Sequence, residues 1–195
     1  MRLTGPESPS LELFDFHSSS CSSDYRTPDH SRWPLCSGQA TAGWARSAEL
    51  SGMKTEDPYH LQRFVAAQDV GGTYDQAVAE LRAGRKTSHW MWFIFPQIAG
   101  LGYSPASRRY AITSLDEARA YLAHPVLGAR LIECATILTA LADRTAEQVF
   151  GEVDALKLRS SMTLFMHAAP REPVFGQVLG QYFGGEPDSA TEHRI

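Results

Sequence analysis

Three cysteines in 195 residues, Cys21, Cys36 and Cys134, are too few and too odd in number for a disulfide framework. The seven histidines, His17, His30, His60, His89, His124, His167 and His193, form no close pair at metal-binding spacing, and no Cys-x-x-Cys occurs. A metal site therefore has no sequence support. Also absent are the Gly-x-Ser-x-Gly nucleophile elbow, the Walker-type phosphate loop and the Gly-x-Gly-x-x-Gly dinucleotide fingerprint. No run reaches 18 apolar residues, and no early stretch joins a basic start to a continuous apolar region. These two absences predict a cytoplasmic protein without a membrane span. The net charge of −4 is divided evenly, −2 in residues 1–52 and −2 in the remainder, so there is no basic field to neutralise a nucleic-acid track.

Composition changes near Met53. Residues 1–52 hold eleven serines and only short apolar patches such as Leu11 to Phe16, too little to offset the entropy of ordering the backbone. We expect a disordered extension there. Met53 could itself be a start codon, which would make the extension a mis-set translation start. From Met53 to Asp188 the text is periodic and capped, and residues 189–195 read as a short tail.

Helix signals recur through the folded part. Asp57 followed by Pro58 offers an N-cap and an N1 proline to a helix with Leu61, Phe64, Val65 and Gln68 on one face. Thr73 with Gln76, Ser114 with Glu117, and Thr145 with Gln148 each fit a capping box, and Gly84 fits the position just past a helix end. Ser104–Pro105 opens a short helix. Pro125 opens a longer one bearing Leu127, Leu131, Cys134, Ala135, Leu138 and Leu141, on which Cys134 reads as a buried reduced thiol. A helix after Gly151 carries Leu158, Met162, Phe165 and Ala169, and a last one runs from Pro173 to Gly184–Gly185. No long stretch alternates at period two. The pattern predicts an all-α, single compact orthogonal domain of seven to eight helices.

At mid-chain, Ser88 to Gln97 reads SHWMWFIFPQ, straight after Arg85–Lys86. The run is too short to cross a bilayer and too aromatic to be left in water. Read as a helix capped by Ser88 and stopped by Pro96, it is apolar nearly all round and belongs at the centre of the core. Each of its large aromatics contributes about 1.5–3 kcal/mol on burial.

The segments DPYHLQRFVAAQ, LRAGRKTSHWMWFIFPQIAGLG, YAITSLDEARAYLAHPVLGARL, FGEVDALKLRSSMTLF and YFGGEPD resemble domain-of-unknown-function family 1810 over residues 57–188. That resemblance implies an orthogonal helical fold with no established activity. Val70 to Gly72 looks like an insertion relative to the family, lengthening a loop, and the early stop at Ile195 implies a loosely anchored last helix. A fainter similarity in the second half, carried by EAR, the following LG with Arg130, and Lys157, is to the NADAR-type helical domains associated with ADP-ribose chemistry. It carries over no catalytic residue.

The polar margin of the aromatic run supplies the site candidates. His89 suits general acid or base work at neutral pH, and equally a structural bond to a carbonyl. Trp92 could stack on a flat ligand or simply fill the core. Lys86 could bind a phosphate or complement a helix C-terminus. Gln97 could hold an amide edge or cap the loop after Pro96. Lys157 with Arg159, Ser160 and Ser161 forms the best polar group of the second half. Asp116 with Glu117, and Glu152 with Asp154, are explained by the preference of acids for helix N-termini.

Two functions of different classes follow. One is a small-ligand domain, nucleotide- or ADP-ribose-like in its ligand, with His89 catalytic and Lys86, Trp92, Gln97 and Lys157 binding. If an enzyme, it would be a hydrolase of N-glycosidic or nucleotide-like substrates. The other is a non-catalytic protein-interaction module with a purely structural aromatic segment. No cofactor is implied, and no protein partner can be named.

Overall fold

The computed structural model describes residues 57–141 and 143–195. The extension over residues 1–52 and the start at Met53 lie outside the described residues. Ten helical segments follow in order: α1 Gln62–Asp69, α2 Thr73–Arg82, α3 Met91–Ile94, α4 Pro105–Arg109, α5 Leu115–Ala123, α6 Leu127–Thr139, α7 Ala146–Phe150, α8 Glu152–Ala168, α9 Val174–Phe183 and α10 Ser189–Glu192. The all-α expectation holds, with four of these segments little more than one turn long. β pairing among the described residues is confined to one parallel bridge between Ile98 and Ile112. Consecutive helices α5 and α6 meet at 91°. No single helix among the described residues is long and apolar enough to cross a membrane.

Side-chain capping explains several helix starts. Ser104 and Ser114 accept the amides of Ser107 and Glu117, and Thr145 with Gln148 forms the reciprocal box. Asp57 also caps, but from one turn upstream. Its two carboxylate oxygens accept the amides of Leu61 at 2.7 Å and Gln62 at 2.9 Å. The box expected at Thr73 does not form. Gly71 and Gly72 adopt left-handed φ values of 62° and 71° in a 3-10 turn over Val70–Gly72 that joins α1 to α2, and Thr73 Oγ1 donates back to the Val70 carbonyl. Before α6 it is His124 that caps, its Nδ1 accepting from Val126 and Leu127.

The aromatic segment lies in the core, as its composition demands, but its helix is one turn rather than two. Trp90, not Ser88, is the residue before the first helical position. The cause is Glu80. Its buried carboxylate accepts the amides of Thr87 and Ser88, the Thr87 hydroxyl and the Trp90 indole, all at 2.8–3.1 Å, which holds the chain in a non-helical path up to Trp90. Pro96 forbids continuation past Phe95.

Trp90 and Phe95 pack edge-on against Phe150 of α7, each at 6.2 Å between ring centres. A second aromatic line runs from Phe64 through Tyr121 and Phe165 to Phe175, linking α1, α5, α8 and α9. The element around which the others gather is α8. It packs against α5, α7, α9 and α10, and its residues Ser160 to Phe165 are buried without a break.

A partly buried ion pair ties α1 to α5. The Arg63 guanidinium donates to Glu117 at 2.6 Å and to carbonyls of Arg109 and Ala111, while Glu117 also accepts from Thr113. Its acidity therefore serves a buried contact as well as a helix N-terminus.

Residues 189–195 are seated, not trailing. The Asp188 amide donates to Thr163 Oγ1, the buried Thr191 hydroxyl meets Ser160 Oγ at 2.7 Å, and Asp188 caps α10. This corrects the tail reading, and the helix expected to be loosely anchored, α9, packs firmly against α6 and α8.

Candidate functional site

The loop after Pro96 is built to stand beside α8. Ile112 donates to the Gln97 carbonyl and accepts from Ala99, so the bridge fixes the first residues of the loop. Further on, Gly102 lies so close to α4 that a Cβ there would be 2.6 Å from Ser107 Cβ. Between this loop, α3, the first half of α8 and α10 lies a cleft of about 460 Å³. Trp92 and Gln97 line it from one side, Val153, Leu156 and Lys157 from α8, and Asp188 with Ala190 from the C-terminal segment. Its volume falls within the range of ligand pockets, about 300–1,000 Å³.

Two lysines and two tryptophans meet around one carboxylate behind that wall. Asp154 Oδ1 pairs with Lys157 Nζ at 2.5 Å and Oδ2 with Lys86 Nζ at 2.7 Å. Lys157 Nζ lies 4.6 Å from the Trp92 ring centre and Lys86 Nζ 5.2 Å from that of Trp90. Burial would push the Asp154 carboxyl up, but the two ammonium groups hold it below its ordinary value.

Of the residues singled out from the sequence, Trp92, Gln97 and Lys157 share the cleft. Lys86 reaches it only through Asp154 and is nearly buried, with 9% of its side chain exposed. His89 is exposed to solvent and is not among the residues lining the cleft. Missed from the sequence were Asp154, Asp188 and Tyr103. The i, i+3 spacing of Asp154 and Lys157 was the one local signal for the first. Nothing local marks Asp188, which enters because α10 folds back onto α8.

The rim of the cleft is apolar and open. Tyr103, Val153 and Leu156 are 83%, 68% and 66% exposed. A second concavity, of about 450 Å³, is lined by Asp57, Tyr59, Gln62 and His124. There the Asp57 carboxylate and His124 Nδ1 are both occupied in capping. Among the described residues no group of three or more His, Cys, Asp or Glu is disposed to hold a metal ion.

A family model described as a protein of unknown function, DUF1810, matches residues 58–195. The chain belongs to the DUF1810 family. The match runs through α10 to Ile195, so the seated C-terminal segment is part of the DUF1810 domain. Among solved structures the chain is similar to the conserved hypothetical protein Rv1873 from Mycobacterium tuberculosis, at 50% identity and a TM-score of 0.68. That similarity covers 70% of this chain and 96% of the other. None of the curated proteins matches. The cleft described above therefore lies wholly within the DUF1810 domain.

Proposed function

We propose that this DUF1810 domain binds a small organic ligand in the cleft between the Gln97–Ser104 loop and α8. The observation that carries the reading is Lys157, whose ammonium lies against the face of Trp92 on the wall of an open cleft that Gln97 also lines. An aromatic face, a cation and an amide around a largely apolar hollow are the equipment of a ligand pocket. Lys86 acts in it indirectly, by sharing Asp154 with Lys157. Binding is the role proposed, not catalysis, because His89 stands apart from the lining.

A thermal-shift screen of the full chain with nucleotides, NAD derivatives and small organic acids tests this. A ligand at a hundred times its Kd stabilises the native state by about 2.7 kcal/mol. W92A and K157A should lose the shift and H89A should keep it. A shift that survives both W92A and K157A would falsify the cleft as the site.

One observation favours the alternative of a protein-interaction module. Tyr103, Val153 and Leu156 expose apolar surface around the cleft that a partner's side chains could cover. On that reading no small molecule shifts the melting temperature, and substituting Tyr103 and Leu156 by serine leaves the fold intact while abolishing complex formation.

A further inference from the structure

Resting on the small-ligand reading of this cleft, we infer that its ligands are amphipathic monoanions, an aromatic or aliphatic body carrying one carboxylate, and that polyphosphates are rejected. The inference comes from which polar groups around the cleft are already engaged. Asp154 has both oxygens occupied, one by each lysine, so the three groups together carry a single surplus positive charge. Lys157 brings that charge to the cleft, its side chain 19% exposed against 9% for Lys86. The Ser104 and Ser107 hydroxyls bond to each other, and Ser160 is taken by Thr191. Among the described residues the Gln97 and Trp92 side chains make no hydrogen bond, which leaves the Gln97 amide, the Trp92 indole N–H and the Lys157 ammonium to meet one charged head.

A second anionic group entering the cleft meets Asp188. Its Oδ2 caps α10 by accepting the Thr191 amide and hydroxyl, yet its negative charge remains on the lining. Two further cations are engaged elsewhere and are not among the lining residues: Arg159 donates to the Glu186 carbonyl, and Arg194 packs against Gly100 and donates to the Ala190 carbonyl. A diphosphate brings several negative charges to a lining whose one surplus ammonium is already offset by the Asp188 carboxylate, whereas a monocarboxylate brings a single charge that Lys157 alone can pair. The rest of the ligand is apolar, because Tyr103, Val153 and Leu156 offer it nothing charged.

The test is calorimetric titration of the full chain with phenylbutyrate, its neutral amide phenylbutanamide, ADP and ADP-ribose at one ionic strength. The acid is expected to bind about tenfold tighter than its amide, or about 1.4 kcal/mol, and about tenfold tighter than either nucleotide. K157M should erase the preference for acid over amide. D188N keeps an oxygen to cap α10 and should improve ADP binding several-fold. Equal binding of acid and amide overturns the inference. Tighter, Lys157-dependent binding of ADP or ADP-ribose also overturns it but leaves the small-ligand reading standing. Failure of all four probes to bind overturns the inference alone when the broader screen finds another ligand sensitive to W92A, and both readings when it finds none. The acid and amide comparison in the unsubstituted protein decides the matter even if K157M does not fold.

Discussion

The indole Nε1 of Trp90 donates to Glu80 Oε2 across 2.8 Å, between a tryptophan with no exposed surface and a glutamate that is 9% exposed. The same carboxylate accepts from the Thr87 amide and hydroxyl and the Ser88 amide, so one acid near the end of α2 organises the whole entry to the aromatic segment. Burial alone would raise the Glu80 carboxyl, but these donors hold it at about 2 against an ordinary 4.5. A carboxyl depressed in the folded state contributes stability that is complete above its unfolded value. That contribution is lost as pH falls from about 4.5 towards 2. E80Q, which turns one acceptor into a donor facing donors, is expected to cost about 3 kcal/mol at neutral pH. Urea unfolding across the acid range should show the gap between E80Q and the unsubstituted protein closing as pH drops. Parallel curves would mean that Glu80 does not titrate as described.

The shared carboxylate of Asp154 leads to an asymmetry between its partners. K157A leaves the Lys86–Asp154 pair intact and should cost no more than about 1 kcal/mol, since Lys157 is partly exposed. D154A strands two ammonium groups, 9% and 19% exposed, against tryptophan faces with no anion between them. Its expected cost is about 2–4 kcal/mol, because an unpaired buried charge is penalised more than the pair was worth. The Asp154 carboxyl is also held below its usual range, so its contribution disappears on acidification and D154A loses its disadvantage there. Equal neutral-pH costs for K157A and D154A in chemical denaturation would show that the three groups do not act as a unit.

What could be read in advance follows from distance along the chain. Ser104, Ser114 and Thr145 cap helices through groups three residues away, and all three were legible. The all-α class was legible for the same reason, together with the spacing of residues such as Leu127, Leu131, Cys134 and Leu138 on α6. Thr73 misled because two glycines in left-handed conformation took over the turn that its side chain would otherwise have capped. The length of the aromatic helix was misjudged because Glu80, on a different helix, claims the donors around Ser88. Trp92 and Gln97 lie in one short stretch, so their common location at the cleft was within reach of sequence reasoning. Asp188 was not, since it enters through the packing of Thr163 and Thr191 between α8 and α10.

Cys134 lies on the buried face of α6 with no exposed surface, and burial pushes its thiol up to about 12. Only the thiolate reacts, and the native state gives it neither ionisation nor access. Peptide mapping after brief treatment with iodoacetamide near pH 8 should find Cys134 unmodified in the native protein and fully alkylated in denaturant. Rapid native alkylation would mean that α6 opens locally far below the global unfolding energy.

Two glycines give opposite answers to the same substitution. Gly180 sits on an exposed position of α9 with nothing within 4 Å of where a Cβ would lie. G180A should therefore stabilise the protein by roughly 0.5–1 kcal/mol, the usual gain from replacing glycine within a helix. Gly128, in the first turn of α6, faces the end of α5, and a Cβ there would stand 2.0 Å from the Leu122 carbonyl oxygen. That atom is backbone and cannot rotate away. Relief requires α5 and α6 to separate at their 91° corner, beside the buried Tyr121 and Leu127. G128A is accordingly expected to lower stability by roughly 3 kcal/mol, at the upper end of overpacking costs. Thermal unfolding of both variants checks the pair. If G128A melts as high as G180A, the close approach of the two helices at Gly128 is wrong.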